Sequence, residues 1–338
     1  MPKKSKKPAF SVYIAFALCT AAICDNASAQ GYFFWNPSDH TLPFSTEINP
    51  SLVSKHFTQV AVGLQVYHLG FLQDSDFSLR ENRINFSFPY ILPYDLALGF
   101  DIRYFTAIVY SELAASLLLS REIMKHFSLG VKVALERRGF DSAKFQGVDF
   151  SDPLISNGLS FNRFNFGLGA YWQKDNFTIG FGLDHVNQAG IGVADQSATV
   201  PMELAGAFGY KLGTITPTLL LHEDGNQLRI GFAIVAQKPT LGTLRIGYED
   251  NLPFRVEASL NLTKNGSLGY GIDLPKAGTR GLSAGSHQLV YQHILGREPE
   301  LGQPEIFFST RKLNILEKTV VRSLPACRSA RSRPCCSR

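Results

Sequence analysis

Gly281-Leu282-Ser283-Ala284-Gly285 matches G-x-S-x-G, the pattern that presents a serine nucleophile on a sharp turn from strand to helix, and His287 follows closely. That chemistry needs a helix after the turn. Here the pattern lies in a Gly-rich connection between two alternating segments, so it lacks its frame. Asp184-His185 and His222-Glu223-Asp224 are acid and imidazole clusters of the kind that hold a cation. Neighbours on a strand point to opposite faces, so an adjacent pair does not converge on one ion. The second cluster falls at a turn, where charge is ordinarily solvated. A barrel-type lipase would need Ser and His on the lipid face, and His185 takes such a position without a serine partner. No phosphate-binding loop, dinucleotide fingerprint or zinc ligand set occurs. The expectation is therefore no enzyme, no metal and no cofactor.

The charges that remain are Asp101, Arg103, Lys132, Glu136, Arg229, Arg245, Arg255 and Glu257. Each falls on the polar phase of an alternating segment. Facing inward, they could pair and close a lumen, or line a polar path. Mixed signs argue against a dedicated anion or cation channel, and pairing is the expectation.

The elements that would position these residues recur from Val60 to about Leu295. Phe127-Ser128-Leu129-Gly130-Val131-Lys132-Val133-Ala134-Leu135-Glu136 is the clearest copy: large apolar residues alternate with small or polar ones. A period of two is that of a strand. Ser, Gly, Lys, Ala and Glu would fill a dry core poorly, so the apolar face must be the outer one. An apolar exterior around a polar, Gly-rich interior predicts an all-β fold, a transmembrane antiparallel up-and-down barrel. About fourteen strands can be counted. They include Val60–Tyr67, Leu96–Tyr104, Phe164–Trp172, Phe177–His185, Leu228–Ala236, Leu244–Tyr248, Phe254–Leu262, Leu268–Leu274 and Ser286–Leu295. Gln173 to Asn176 reads as a turn, and Asp224-Gly225 and Asn265-Gly266 as turns needing positive φ. The longest connections are the first, fifth, seventh and thirteenth, all odd. Short periplasmic turns and longer outer loops would sort this way if the first strand rises from the periplasm. Tyr90, Tyr94, Tyr104, Tyr110, Trp172, Phe177, Tyr210 and Tyr248 fall near strand ends, where interfacial aromatic girdles sit.

The two ends of the chain differ from this body. Lys3, Lys4, Lys6 and Lys7 precede the apolar run Phe10–Ile23, and Ala27-Ser28-Ala29 offers a cleavage site before Gln30, a secretory signal pattern. No later apolar run approaches the ~20 residues of a membrane-spanning helix. The first 29 residues carry +3 (four lysines less Asp25) and residues 311–338 carry +7 (eight Lys/Arg less Glu317), out of a total of +5. Residues 30–310 are thus mildly acidic at −5, and the charge gives no argument for nucleic acid. All five cysteines lie in the two ends, so the body has no disulfide framework and no Cys-based metal site. The organisation expected is a signal peptide (1–29), a plug or periplasmic segment (30–57), a barrel (58–296) and a periplasmic or disordered tail (297–338).

Gly31 to Phe57 is too irregular for strands and too aromatic for a solvated linker, which suits a lumen plug or a clasp at the rim. Its Phe44-Ser45-Thr46-Glu47-Ile48-Asn49-Pro50-Ser51-Leu52 is similar to the early segment of the PorP/SprF family, with Phe44, Asn49 and Pro50 as the matching positions. Phe164 to Tyr171 running into Phe177 to His185, Asp152-Pro153, and Gly285-Ser286-His287-Gln288-Leu289 also resemble family features. The likeness covers about residues 30–296, departs at Ser51-Leu52-Val53, and has no counterpart for the tail. It implies a non-enzymatic barrel of the bacterial outer membrane that serves type IX secretion or gliding motility. The partners implied are outer-membrane lipids, secretion-system lipoproteins or periplasmic components, and a large secreted surface protein. A fourteen-strand barrel with an N-terminal plug is also the plan of fatty-acid and hydrocarbon transporters, the alternative reading.

Overall fold

The computed structural model describes residues 35–67, 79–92, 95–107, 110–140, 160–190, 199–225, 227–250, 253–274 and 285–295. Fourteen strands follow one another: β1 Gln59–Tyr67, β2 Leu79–Leu92, β3 Leu96–Thr106, β4 Tyr110–Met124, β5 Phe127–Phe140, β6 Ser160–Lys174 and β7 Phe177–Asp184, then β8 Glu203–Tyr210, β9 Ile215–Asp224, β10 Gln227–Lys238, β11 Gly242–Glu249, β12 Phe254–Asn261, β13 Gly266–Leu274 and β14 Ser286–Ile294. Each pairs antiparallel with its sequence neighbour, and β14 closes on β1 with Gln59 opposite Ile294 and Val66 opposite His287. Closure removes both sheet edges, so every strand's backbone groups find a partner within the wall.

The alternation decides which face is which. On β5, Ser128, Gly130, Lys132, Ala134 and Glu136 are buried. Leu129, Val131, Val133 and Leu135 on the same strand are 39–45% exposed, as only a lipid-covered wall would leave them. An arginine on this face must be taken out of water. Val133→Arg is expected to lower the stability of the refolded barrel in vesicles by about 2–4 kcal/mol, read as a shift in the denaturant midpoint.

Turn details differ from the sequence reading in instructive ways. Lys174 extends β6, leaving Asp175-Asn176 as the turn, with Asp175 at φ +53. Gly225 does adopt φ +65. Gly266 instead opens β13 with an ordinary φ, because the connection widens to 262–265 and Thr263 Oγ1 accepts the Gly266 N–H at 2.8 Å. The strand bounds place the longest connections (68–78, 141–159, 185–202 and 275–285) at one end of the barrel. The even ones, such as 125–126 and 175–176, are short and lie at the other. Much of the long loops, the sequence around Ser283, Asp152-Pro153, Ala27, Ala29 and Gln30, and all of the tail lie outside the described residues.

Trp172, Phe177 and Tyr210 stand on the outward phase at the short-turn end, with the Phe177 and Tyr210 ring centroids 4.6 Å apart. Tyr104 and Tyr248 are outward near the other end. Tyr110 does not belong to a girdle. It falls on the inward phase of β4, where its hydroxyl donates to Glu112 at 2.7 Å. Tyr94 and the Tyr90 side chain are outside the described residues.

The lumen is occupied by the chain's own residues 35–58. Prolines at the first positions of two short 3-10 turns, Pro43–Glu47 and Pro50–Lys55, preset φ for those turns. Trp35 packs against His222 near the long-loop end of β9, and Thr58 leads into β1 at the opposite end. The segment therefore runs through the lumen from one mouth towards the other.

Candidate functional site: the occupied lumen

Four inward glycines on β5, β6 and β7 make the bed for this segment. A Cβ on Gly130 would strike the Ser51 backbone, on Gly169 the Asn49 side chain and Pro50 ring, on Gly180 the Pro37 carbonyl, and on Gly182 the Ile48 carbonyl. None of the four has a positive φ, so it is space that demands glycine here. Asn49 then fixes the register. Its amide donates to the Pro37 carbonyl at 2.7 Å and to the Ala170 carbonyl of β6 at 3.0 Å. Its oxygen accepts from the Ser51 N–H and the Ser51 hydroxyl. Asn49→Ala would strand these buried groups at about 1–3 kcal/mol each. It is expected to make the 35–58 segment clearly more susceptible to protease in detergent while the barrel keeps its heat-modifiable migration on gels.

Apolar contacts seat both ends of the segment. Phe44 packs on Ala61 and Val290 and lies under the Arg83 guanidinium at 5.8 Å. Val53 meets Ala97 and Leu118 on β3 and β4. Trp35 and Leu42 pack on Ala205, Ala207, Leu220 and Ala233 across β8 to β10. Phe44, Asn49 and Pro50, marked in the sequence, are thus all buried contacts between segment and wall.

Every one of the eight charges expected on the polar phase does face inward. Among the described residues their partners lie on the neighbouring strand, on the next strand but one (Lys132 on β5 with Asp184 on β7), or on the lumen segment. Arg83 and Arg103 stand directly opposite each other on β2 and β3, a like-charge pair that would repel. Glu47 bridges them, with Arg83 Nη1 at 2.5 Å and Arg103 Nη1 at 3.3 Å. Glu81 and Glu112 supply further carboxylates to Arg83 and Arg103. Asp101 accepts from Asn85 at 3.3 Å, and Asn85 also reaches Thr46. Lys132 donates to the Glu47 carbonyl at 2.9 Å and pairs with Asp184. Glu136 holds Arg163. On the other side, Arg245 joins Asp39 of the segment at 3.1 Å to Glu257 of β12 at 2.6 Å. Arg229 pairs with Glu249 and Arg255 with Asp273.

Two histidine clusters fall differently from the sequence reading. β7 ends at Asp184, and His185 has φ +53, which swings its side chain inward. Asp184 and His185 therefore end on the same side, the imidazole 3.5 Å from Glu136 and 3.7 Å from Glu203. His222 is buried instead of solvated, 3.1 Å from Glu249, with its ring 4.8 Å from that of Trp35. A sequence gives no sign of either, because each depends on one backbone angle or on a segment distant in the chain. No metal-ligating group of three or more His, Cys, Asp or Glu gathers among the described residues.

The segment's own titratable groups register this enclosure. Burial by itself raises Glu47, but Arg83, Arg103 and Lys132 overcome it and hold the carboxyl at about 2. Asp39 behaves alike: burial pushes it up, while Arg245 and the Thr41 hydrogen bonds bring it below its ordinary value. Burial drives His56 down to about 3 and lowers His40 as well. Acids are held charged and histidines neutral, as fits an enclosed site that supplies arginine.

The profile of a family described as "Type IX secretion system membrane protein PorP/SprF" matches residues 106–292. No curated protein matches in sequence. Among solved structures, the toluene transporter TbuX of Ralstonia pickettii superposes with a TM-score of 0.52 at 12% identity, over 75% of this chain and 94% of that one. The toluene transporter TodX of P. putida gives 0.49 at 10% identity, over 75% and 94%. At such identity the first of these speaks for the outer-membrane barrel fold alone.

Proposed function

The chain belongs to the PorP/SprF family of type IX secretion system membrane proteins, and on that premise we propose that this outer-membrane barrel is a non-enzymatic component that helps export or anchor a surface protein. Gliding motility is the setting this reading favours. The observation that carries it is the lumen. Residues 35–58 are locked to the wall by Glu47, Asp39 and Asn49, so the barrel acts as a rigid body whose rims and long loops are its working surfaces. In this reading the connections 141–159 and 185–202 hold the surface partner, and secretion-system lipoproteins or periplasmic components bind at the short-turn end. The rival function, uptake of hydrophobic molecules, would use the same fold. The arginines and carboxylates that line this lumen weigh against an apolar path.

In-cell crosslinking of the tagged full-length protein, followed by mass spectrometry, tests the proposal. Secretion-system lipoproteins or a large surface protein recovered with the bait would support it. A bait that returns alone, together with uptake of labelled fatty acid by the purified barrel, would replace it with the transporter reading.

A further inference from the structure

The short-turn end repeats one chemical doublet around the barrel. Lys125, Lys174, Lys211, Lys238 and Lys264 lie one to each of the connections β4–β5, β6–β7, β8–β9, β10–β11 and β12–β13, in the turn or on its last strand residue, and all five are exposed. Beside four of them stands a large apolar residue that is exposed further than most of the barrel wall: Met124 at 69%, Leu212 at 58%, Leu241 at 59% and Leu262 at 58%. The fifth, Lys174, has Phe177 and Trp172 beside it. Against these five lysines this rim presents Asp95, Asp175 and Glu122, and Glu122 is already paired with Lys55 at 2.9 Å. A basic collar on an otherwise acidic body calls for an anion.

The outer wall locates that anion. Towards the long-loop end the outward phase turns polar before the strands finish, with exposed Arg80 and Asn82 on β2, Arg137 on β5, Asn162 on β6 and Glu223 on β9. Towards the short-turn end, apart from Arg121 on β4 and His293 on β14, it stays apolar into the turns themselves, and Arg121 adds a further cation there. The apolar band therefore sits low on the barrel, and the turns lie within the headgroup layer of the nearer leaflet. Leucine and methionine would dip into the acyl boundary there while each ammonium meets phosphate. Neighbouring turns are two strands apart, about 10–13 Å along the rim for strands about 4.8 Å apart and tilted, so each lysine can serve a separate lipid. We infer that this collar binds the phosphate headgroups of anionic phospholipids, selecting them as an annulus over zwitterionic lipid.

Each lysine near an anionic surface adds about a fivefold preference at most, so the collar acts through its number. The chain has two tryptophans. Trp35 is buried in the lumen, and Trp172 stands outward at this rim, on β6 two residues before Lys174 and opposite Phe127, which follows the turn that bears Lys125. Fluorescence quenching by lipids brominated in the acyl chain therefore reports the lipid beside Trp172. With the full-length protein in phosphatidylethanolamine vesicles, brominated phosphatidylglycerol should quench several-fold more effectively than brominated phosphatidylethanolamine at equal mole fraction. The preference should fall away at about 1 M salt, where the Debye length is about 3 Å. It should also fall in the triple variant Lys125→Gln, Lys174→Gln, Lys211→Gln, with heat-modifiable migration showing that the variant has folded.

Equal quenching by the two lipids in the native protein would overturn the inference, and this arm needs no variant. Loss of the preference on adding millimolar inorganic phosphate would also overturn it, showing a site for free anion. If the triple variant kept its lipid preference but lost crosslinks to a periplasmic protein, the collar would be a protein-docking surface instead.

Discussion

Replacing Glu47 with alanine is expected to free the lumen segment while leaving the barrel folded. Arg83 and Arg103 face each other across β2 and β3, and Glu47 contacts both. Removing one member of a buried ion pair commonly costs about 3–5 kcal/mol, because the charge left behind stays desolvated. Here two arginines would be left, with Glu81 and Glu112 compensating in part. The opening equilibrium of the segment should shift about a hundredfold or more, since each 1.4 kcal/mol is about a factor of ten. Protease cutting within 35–58 and ion conductance in a planar bilayer should rise together. A second change, Arg103→Gln, should restore part of the loss in a double-mutant cycle. A Glu47→Ala protein that stayed protease-resistant and silent in the bilayer would show that the apolar seats at Phe44, Val53 and Trp35 suffice.

Acid should act through the same groups, in a sequence set by their direction. His56 has its ordinary value at 6.5 and about 3 in the folded chain, so docking begins to weaken as the pH falls below about 6.5, when the released segment can take a proton that the docked one refuses. His40 adds in the same sense. Glu47 has an ordinary value of 4.5 and about 2 when docked, so its contribution is whole above 4.5 and is lost as the pH falls towards 2. Conductance against pH should therefore rise in two stages, and His56→Gln should remove much of the first.

Gly180→Val is the second change with a large expected effect. Its Cβ would overlap the Pro37 carbonyl, and neither the β7 backbone nor the Pro37 peptide can move aside by changing a rotamer. Overpacking a core costs about 1–3 kcal/mol when side chains can give way. A clash between two backbones should reach the upper end of that range or pass it. The expected result is a barrel of normal strand content whose 35–58 segment is protease-sensitive and whose lumen conducts. Gly206→Val is the control. That glycine faces outward, its nearest neighbour would be Leu221 Cβ at 3.8 Å, and no change in conductance is expected. Conductance in both variants would point to a general loosening of the wall.

The wall was legible in the residue pattern alone. A period of two, with Ser, Gly and charge on one phase and Leu, Val and Phe on the other, is a local property, so Lys132, Glu136, Arg245 and Glu257 could be assigned inward without knowing any partner. The strand number followed from counting that pattern. Whom those charges meet emerges only in the closed barrel. Glu47 bridges Arg83 and Arg103, and Asp39 meets Arg245, because closure of the barrel brings residues far apart in the chain around a segment that has no period of its own. His185 turns inward through a single positive φ, and His222 is buried because Trp35 covers it. Gly130, Gly169, Gly180 and Gly182 look in the sequence like any small residues on a polar phase. Their role appears only once the backbone of residues 37–51 lies against them. Alternation records which side of a sheet a residue takes, whereas lumen contacts depend on shear and closure, which no local pattern encodes.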